Sequence, residues 1–250
     1  MPALIFDCDG VLADTERDGH LPAFNAAFAE FDLPIQWDDA TYHQKLQIGG
    51  GKERIASEFN DGSEQSELIK ELHARKTQLF TDRVDAGLLP GRPGIARLID
   101  AVRSLGWTVA VASTSAEASV RAVLTHVVGE ELAKGCHVFA GDIVAKKKPA
   151  PDIYLKVLDD LGLNPSDCLV VEDSGIGVAA ATAAGLTTIV TVSSFTADED
   201  FSGAALVLDH LGDPAVPLTV IAAPAAVRPA GMVTVRDLEA LLAHHQEETR

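Results

Sequence analysis

An apolar run, Leu4-Ile5-Phe6, delivers two aspartates spaced by one residue, Asp7 and Asp9, into a turn at Gly10. The run reads as a buried strand, and the glycine marks where it stops. Carboxylates at a strand's end are desolvated on one side and open to a ligand on the other. Two so close repel each other unless a cation or a shared proton settles the charge. An aspartate already ionised at neutral pH can attack phosphorus. A second one beside it can protonate the leaving oxygen and then take a proton from water. These spacings make Asp7 the expected nucleophile and Asp9 the expected acid–base group.

Three more motifs supply what such a reaction lacks. Ser113-Thr114 follow the apolar run 109–112, Lys146-Lys147-Lys148-Pro149 form a basic stretch, and the run 169–171 ends in Glu172-Asp173. Asp7, Asp173 and the neighbouring Glu172 make an all-oxygen set suited to Mg2+, which would neutralise the repulsion between an anionic nucleophile and an anionic phosphate. Lys148 adds a positive charge, extended by the proline after it, and Ser113 and Thr114 offer hydrogen bonds to phosphoryl oxygens. Each motif alone has a plainer reading. Ser113-Thr114 could cap a helix, the lysines could be a solvated loop, and Glu172-Asp173-Ser174 could be an N-cap cluster. All four occurring in order, each at a strand end or an adjoining loop, favours one shared site.

The elements that must position these groups follow from periodicity. Leu21, Phe24, Phe28 and Phe31 recur at helical spacing up to Pro34, and helical patterns continue over 38–46, 52–59 and 64–83. No strand is expected between residues 18 and 85, so this block reads as a small helical domain hung on linkers near 14–18 and 85–91. Beyond Gly94 the pattern alternates: helices over 95–105, 116–124, 153–161 and 177–184, strands over 107–112, 137–139, 169–171 and 187–192. A possible edge strand at 219–222 and a final helix through Val235 to Leu242 close the chain. The expected fold is α/β, a mostly parallel sheet with helices on both faces, in which ligands gather at the carboxyl ends of the strands.

Composition narrows the partners. A net charge of −17 over 250 residues argues against nucleic acid and anionic membranes, while leaving room for a local positive pocket that takes a small anion. With 47% hydrophobic residues the chain can bury a sizeable core. Cys8, Cys136 and Cys168 are scattered and lack metal-ligand spacing, which fits a reduced, cytoplasmic setting. No signal peptide or membrane span is expected ahead of the first strand. Gly49-Gly50-Gly51-Lys52 is not a P-loop, because the spacer, the following Ser or Thr and the preceding strand are missing.

The ordered set Asp7-Cys8-Asp9-Gly10-Val11, Ser113-Thr114, Lys148-Pro149 and Glu172-Asp173-Ser174 resembles the haloacid dehalogenase-like hydrolase superfamily. The resemblance implies a Rossmann-like catalytic core at 1–14 and 89–250 and a helical cap at 15–88, working as a monomer. It implies that Asp7 and Asp173 bind Mg2+, that Asp9 does so through its backbone carbonyl, and that Glu172 supports the ion directly or through water. Within the superfamily, Asp14-Thr15-Glu16, the stretch 19–25 and Ile48-Gly49-Gly50-Gly51-Lys52-Glu53-Arg54 resemble CbbY-type phosphatases. That subgroup is associated with removing phosphate from xylulose-1,5-bisphosphate, an inhibitor of the carbon-fixing carboxylase. Glu16, His20, Gly50, Lys52, Arg54 and Lys76 are then the expected cap contacts to a phosphorylated sugar, with Arg17 and Arg75 as further cations. Lys52 and Arg54 lie two apart on a helix and are not both expected to face the cleft. The rival readings are a phosphomutase resembling beta-phosphoglucomutase and a phosphatase of another small ester such as phosphoglycolate. A phospho-acceptor switch is disfavoured by the large helical insert.

Overall fold

The structure, a computed structural model, describes residues 1–59, 66–224 and 227–248. Residues 64 and 65, where one expected helix begins, lie outside these. The strands are β1 (Ala3–Phe6), β2 (Thr108–Ser113), β3 (His137–Ala140), β4 (Cys168–Glu172), β5 (Thr187–Thr191), β6 (Leu206–Leu208) and β7 (Val220–Ala222). They form one sheet in the order β3-β2-β1-β4-β5-β6-β7, parallel except for β7, which runs antiparallel to β6. The first strand lies between β2 and β4, so the chain order reverses around it and a crevice opens at its carboxyl end. Strand β6 was not anticipated from the sequence; three residues are too few to carry a period.

Strands buried on both faces must be apolar throughout, and β1 is. Leu4 and Phe6 pack on one face with Val109, Val111, Leu169 and Val171, while Ala3 and Ile5 pack on the other with Ala110, Ala112, Cys168 and Val170. Between β1 and β2 the chain forms the inserted cap: a π-helical turn (Glu16–His20) running into α1 (Leu21–Glu30), then α2 (Asp39–Leu46), α3 (Gly51–Ala56) and α4 (Ser66–Asp85). Asp38 starts α2 by accepting the Thr41 amide at 2.8 Å. The sheet is covered by α5 (Ile95–Ser104), α6 (Glu117–Val128), α7 (Glu130–Lys134), α8 (Asp152–Leu161), α9 (Gly175–Ala183) and α10 (Val235–Glu248). Helices α5, α6 and α10 contribute to the Leu4–Phe6 face and α8 and α9 to the Ala3–Ile5 face. No helix among the described residues is long and apolar enough to cross a membrane. The three cysteines are buried and unpaired.

The cap has its own apolar centre of Phe24, Phe28, Trp37, Tyr42, Ile55 and Leu72, into which Phe195 enters from the loop after β5. Phe195 meets Tyr42 edge-on at 5.8 Å and stacks with His43 at 6.3 Å, so cap and core share aromatic contacts at the mouth of the crevice. On the core side, Arg92 ties the carboxyl ends of several elements together. Its guanidinium donates to the carbonyls of Gly10, Thr191 (3.1 Å), Val192 (2.7 Å) and Asp209. Its own amide donates to Leu12 O at 2.9 Å. Removing that side chain strands several half-buried acceptors at once. Arg92→Ala is therefore expected to lower stability by about 3 kcal/mol in a urea unfolding titration, and a loss within the ~0.5 kcal/mol typical of surface sites would reject this role.

Candidate active site

The end of β1 sets the site. The Asp7 amide donates to Val171 O at 2.9 Å, continuing the β1–β4 ladder one residue further and pinning the Asp7 side chain at the crevice floor. Lys148, reaching in from the loop before α8, donates to Asp7 Oδ1 (2.7 Å), Ala112 O (3.0 Å) and Glu172 Oε1 (2.7 Å). All three ammonium donors are thus spent on groups at the carboxyl ends of three neighbouring strands. Burial alone would lower the Lys148 pKa, but the Asp7 and Glu172 charges hold it well above its ordinary value. Tyr154 on α8 donates its hydroxyl to the same Glu172 oxygen, and its ring lies 4.9 Å from the Lys148 ammonium. Glu172 is completely buried, and its other oxygen accepts the Asp173 amide at 3.3 Å.

Asp7 and Asp9 live in opposite environments. Burial pushes the Asp7 carboxyl up to about 7; the Glu172 and Asp9 charges add to this and Lys148 opposes it. Asp9 turns away toward the cap. Its Oδ1 accepts Thr15 Oγ1 at 2.6 Å and meets His20 Nε2 at 2.7 Å, and its Oδ2 accepts the Ser115 hydroxyl. Burial alone would raise Asp9, but His20, Ser115 and Thr15 together hold it well below the usual carboxylate range. His20 Nδ1 lies 2.8 Å from Lys76 Nζ, and its ring stacks on Phe80 at 3.9 Å. An ammonium can only donate, so Nδ1 is the acceptor and the proton sits on Nε2, facing Asp9. Lys76 is 5% exposed, and burial draws its pKa down to about 8.

The cavity above these groups is lined by Asp7, Asp9, Ser113, Thr114, Lys148 and Asp173 from the core and by Glu16, His20, Gly50, Arg54 and Lys76 from the cap. Its volume is only about 70 Å3, well below the ~300 Å3 where small-molecule pockets begin. The π-helical turn places Glu16 and His20 on the cavity side within a single turn. Arg54 is held there by Ile48 O (2.9 Å), the Tyr42 hydroxyl (3.3 Å) and Glu16 (3.6 Å), while Tyr42 donates to Glu16.

Not every expected contact reaches the cavity. Lys52 points outward to Asp142 on the core, while Arg54, two residues on, points in, as the helical period requires. Arg17 is engaged by Asp39 at 3.3 Å and lies over Phe195, and Arg75 is taken by Glu30 at 2.8 Å. Ser115, Tyr154 and Phe195 were not singled out from the sequence. Ser115 adjoins a motif that was, which was the available signal; Tyr154 and Phe195 look like ordinary core residues until the fold brings them to Glu172 and Tyr42.

Residues 1–185 match the haloacid dehalogenase-like hydrolase family. A protein of Arabidopsis thaliana called CBBY-like protein is 51% identical over 222 residues, 85% of this chain and 70% of its own length. Protein CbbY encoded on a plasmid of Cupriavidus necator is 47% identical over 244 residues, covering 94% of this chain and 96% of that protein. A crystal structure of a CbbY mutant from Rhodobacter sphaeroides in complex with xylulose-1,5-bisphosphate is similar to this chain at 38% identity and a TM-score of 0.79. It covers 86% of this chain and 98% of the other.

A divalent cation fits the core half of the cavity. Asp7, Glu172 and Asp173 each offer a carboxylate oxygen, all within 4.8 Å of one another. When all three are ionised they outnumber the single ammonium of Lys148 by two charges, and burial resists that state, pushing Asp173 well above the usual range. The Asp173 carboxylate occupies the space a Cβ at Gly10 would fill, and Gly10 has φ +75°, so only glycine lets it approach. The pH sign follows from Asp7. Without metal, the folded protein holds a proton that the unfolded chain releases near 3.8, so stability falls as pH rises from there to about 7. A cation that binds the ionised cluster reverses this. Mg2+ added to chelator-treated protein is expected to raise Tm by several degrees at pH 7.5 and by little at pH 5. Equal shifts at the two pH values, or the same shift in Asp173→Asn, would reject the site.

Proposed function

The chain belongs to the haloacid dehalogenase-like hydrolase family, and from that premise we propose that it is a Mg2+-dependent phosphatase converting xylulose-1,5-bisphosphate to xylulose 5-phosphate and inorganic phosphate. The observation that carries the reading is the pair of carboxylates held in opposite states over one cavity, Asp7 against Lys148 and Asp9 against His20. The xylulose-1,5-bisphosphate complex of the Rhodobacter sphaeroides relative supports the substrate. The site is complete within one chain, which supports a monomeric enzyme. Residues 15–88 are assigned to the cap, and 1–14 with 89–250 to the catalytic core.

In this reading an Asp7 carboxylate oxygen forms the bond to phosphorus while the bond to the sugar oxygen breaks, and Asp9 gives that oxygen its proton. Asp9 is ionised in the free site; an arriving phosphate dianion raises its proton affinity, so that it takes the proton of His20 Nε2 while Lys76 Nζ passes one to Nδ1, both being restored once Asp9 takes a proton from water. In the second half Asp9 takes a proton from water, the water oxygen bonds to phosphorus, and the acyl phosphate bond breaks to restore Asp7. Lys148, Ser113 and Thr114 hold the phosphoryl oxygens, and Glu172 and Tyr154 keep Lys148 aimed at Asp7. Asp7, Asp173 and the backbone carbonyl of Asp9, with Glu172 behind them, would hold Mg2+, which supplies charge neutralisation for the transferring group.

Incubation with xylulose-1,5-bisphosphate and Mg2+ is expected to release one phosphate per sugar and leave xylulose 5-phosphate. Asp7→Asn should abolish release, a loss of at least about 10³-fold, while the circular dichroism spectrum is unchanged. Phosphate release retained in that variant would sink the mechanism, and an isomerised monophosphate product would point to a mutase instead.

A further inference from the structure

Three consecutive residues of the loop after β5 take hold of three different parts of the molecule. Ser193, buried, hydrogen-bonds the Asp173 carboxyl. Ser194 closes a two-point clasp on Asp14, its amide donating to Oδ2 at 3.1 Å and its hydroxyl to Oδ1 at 2.9 Å. Asp14 lies in the linker through which the chain leaves β1 for the cap. Phe195 then crosses into the cap. Among the described residues it is the one buried member of the cap's apolar centre that comes from outside residues 15–88. The loop is pinned beyond the ring as well. Thr196 Oγ1 accepts the Ser193 amide at 2.9 Å, and the Glu199 carboxylate accepts the amide of Gly175, the first residue of α9. The core therefore fixes the ring from both directions along the chain.

Inside the cap the ring meets the group on which the cavity's roof hangs. Phe195 is 8% exposed, packs edge-on against Tyr42 at 5.8 Å, and lies against the Arg17 guanidinium at 5.1 Å. Tyr42 is fully buried, and its hydroxyl donates to Glu16 and accepts from Arg54 at 3.3 Å. Glu16 and Arg54 both line the active-site cavity, so a displacement of the Tyr42 ring displaces both. The cap's other apolar attachment is close to its second linker, where Phe80 and Val84 of α4 join the Leu4–Phe6 face of the sheet. One attachment beside a linker leaves the cap a rotation about it, and a second removes that freedom. The ion pairs Lys52–Asp142 and Lys147–Glu53 are no substitute. Asp142 and Glu53 are 53% and 45% exposed, and pairs of that kind contribute little.

We propose that Phe195 is a positioning residue for the reaction: held by Ser193 and Ser194, it fixes Tyr42, and through it Glu16 and Arg54, over Asp7. This rests on the reading of residues 15–88 as the cap of a sugar phosphatase, and it adds that a side chain of the core sets where the cap's substrate contacts stand.

The first test is steady-state kinetics of wild type, Phe195→Ala and Phe195→Leu on xylulose-1,5-bisphosphate and on glucose 6-phosphate with Mg2+. For whichever ester wild type turns over better, KM in Phe195→Ala is expected to rise about tenfold while kcat changes by less than about threefold, the pattern of lost binding contacts rather than of lost active enzyme. Phe195→Leu, which keeps most of the apolar volume, should fall between the two. The second test is trypsin digestion of the native proteins without substrate, read by mass spectrometry. Removing the ring loosens the turn that carries Arg17, so cleavage after Arg17 is expected to be about tenfold faster in Phe195→Ala, again with Phe195→Leu between, while cleavage after Arg103 and Arg121 in the core is unchanged. A KM within twofold of wild type, a loss confined to kcat, or an unchanged rate of cleavage after Arg17 overturns the assignment. Faster cleavage in the core of both variants marks general unfolding and overturns it too. If wild type turns over neither ester, the reading as a sugar phosphatase fails, and the digestion still decides whether Phe195 holds the cap.

Discussion

One buried ammonium organises this molecule's chemistry. Lys148 sits among Asp7, Glu172 and the Ala112 carbonyl, the ends of the three central strands, and its contacts saturate its donors. A buried charge is tolerable only when paired and hydrogen-bonded, so Lys148 needs these carboxylates as much as they need it. Glu172 is the hinge of that arrangement, since one of its oxygens accepts both Lys148 and Tyr154. Removing either partner would leave a carboxylate stranded in the sheet's interior. The same pairing leaves Asp7, Glu172 and Asp173 close together with one ammonium among them, an all-oxygen set that could hold a divalent cation.

The second organising fact is division of labour between two carboxylates one residue apart. Asp7 lies in a desolvated, acid-rich corner, and Asp9 receives donors from Thr15, Ser115 and His20. Two of those three donors come from the segment that enters the cap. The state of Asp9 therefore depends on where the cap is, whereas the state of Asp7 depends on the core alone.

Much of this was legible in the sequence because the relevant signals are local. A buried parallel strand reads as an unbroken apolar run, and the residue after it is by construction at the sheet's carboxyl edge. That logic places Asp7, Ser113 and Asp173 in one crevice without any knowledge of contacts, and the order of strands brings them there. The cap's helices were also readable from their 3.6-residue period. The three-residue β6 escaped because its pairing with β5 and β7 is what makes it a strand.

Residue types and spacing by themselves determined the α/β fold, the inserted helical block and the identity of the groups at the strand ends, since each depends on a pattern within a dozen neighbouring residues. Only the tertiary structure decided how those groups share their charges. That Glu172 is committed to Lys148 and Tyr154, that Arg54 turns into the cavity while Lys52 turns out to Asp142, and that Phe195 leaves the core to join the cap are all long-range facts. Side-chain direction and partner choice are settled by competition among groups far apart in the chain, and no local period encodes the outcome of that competition.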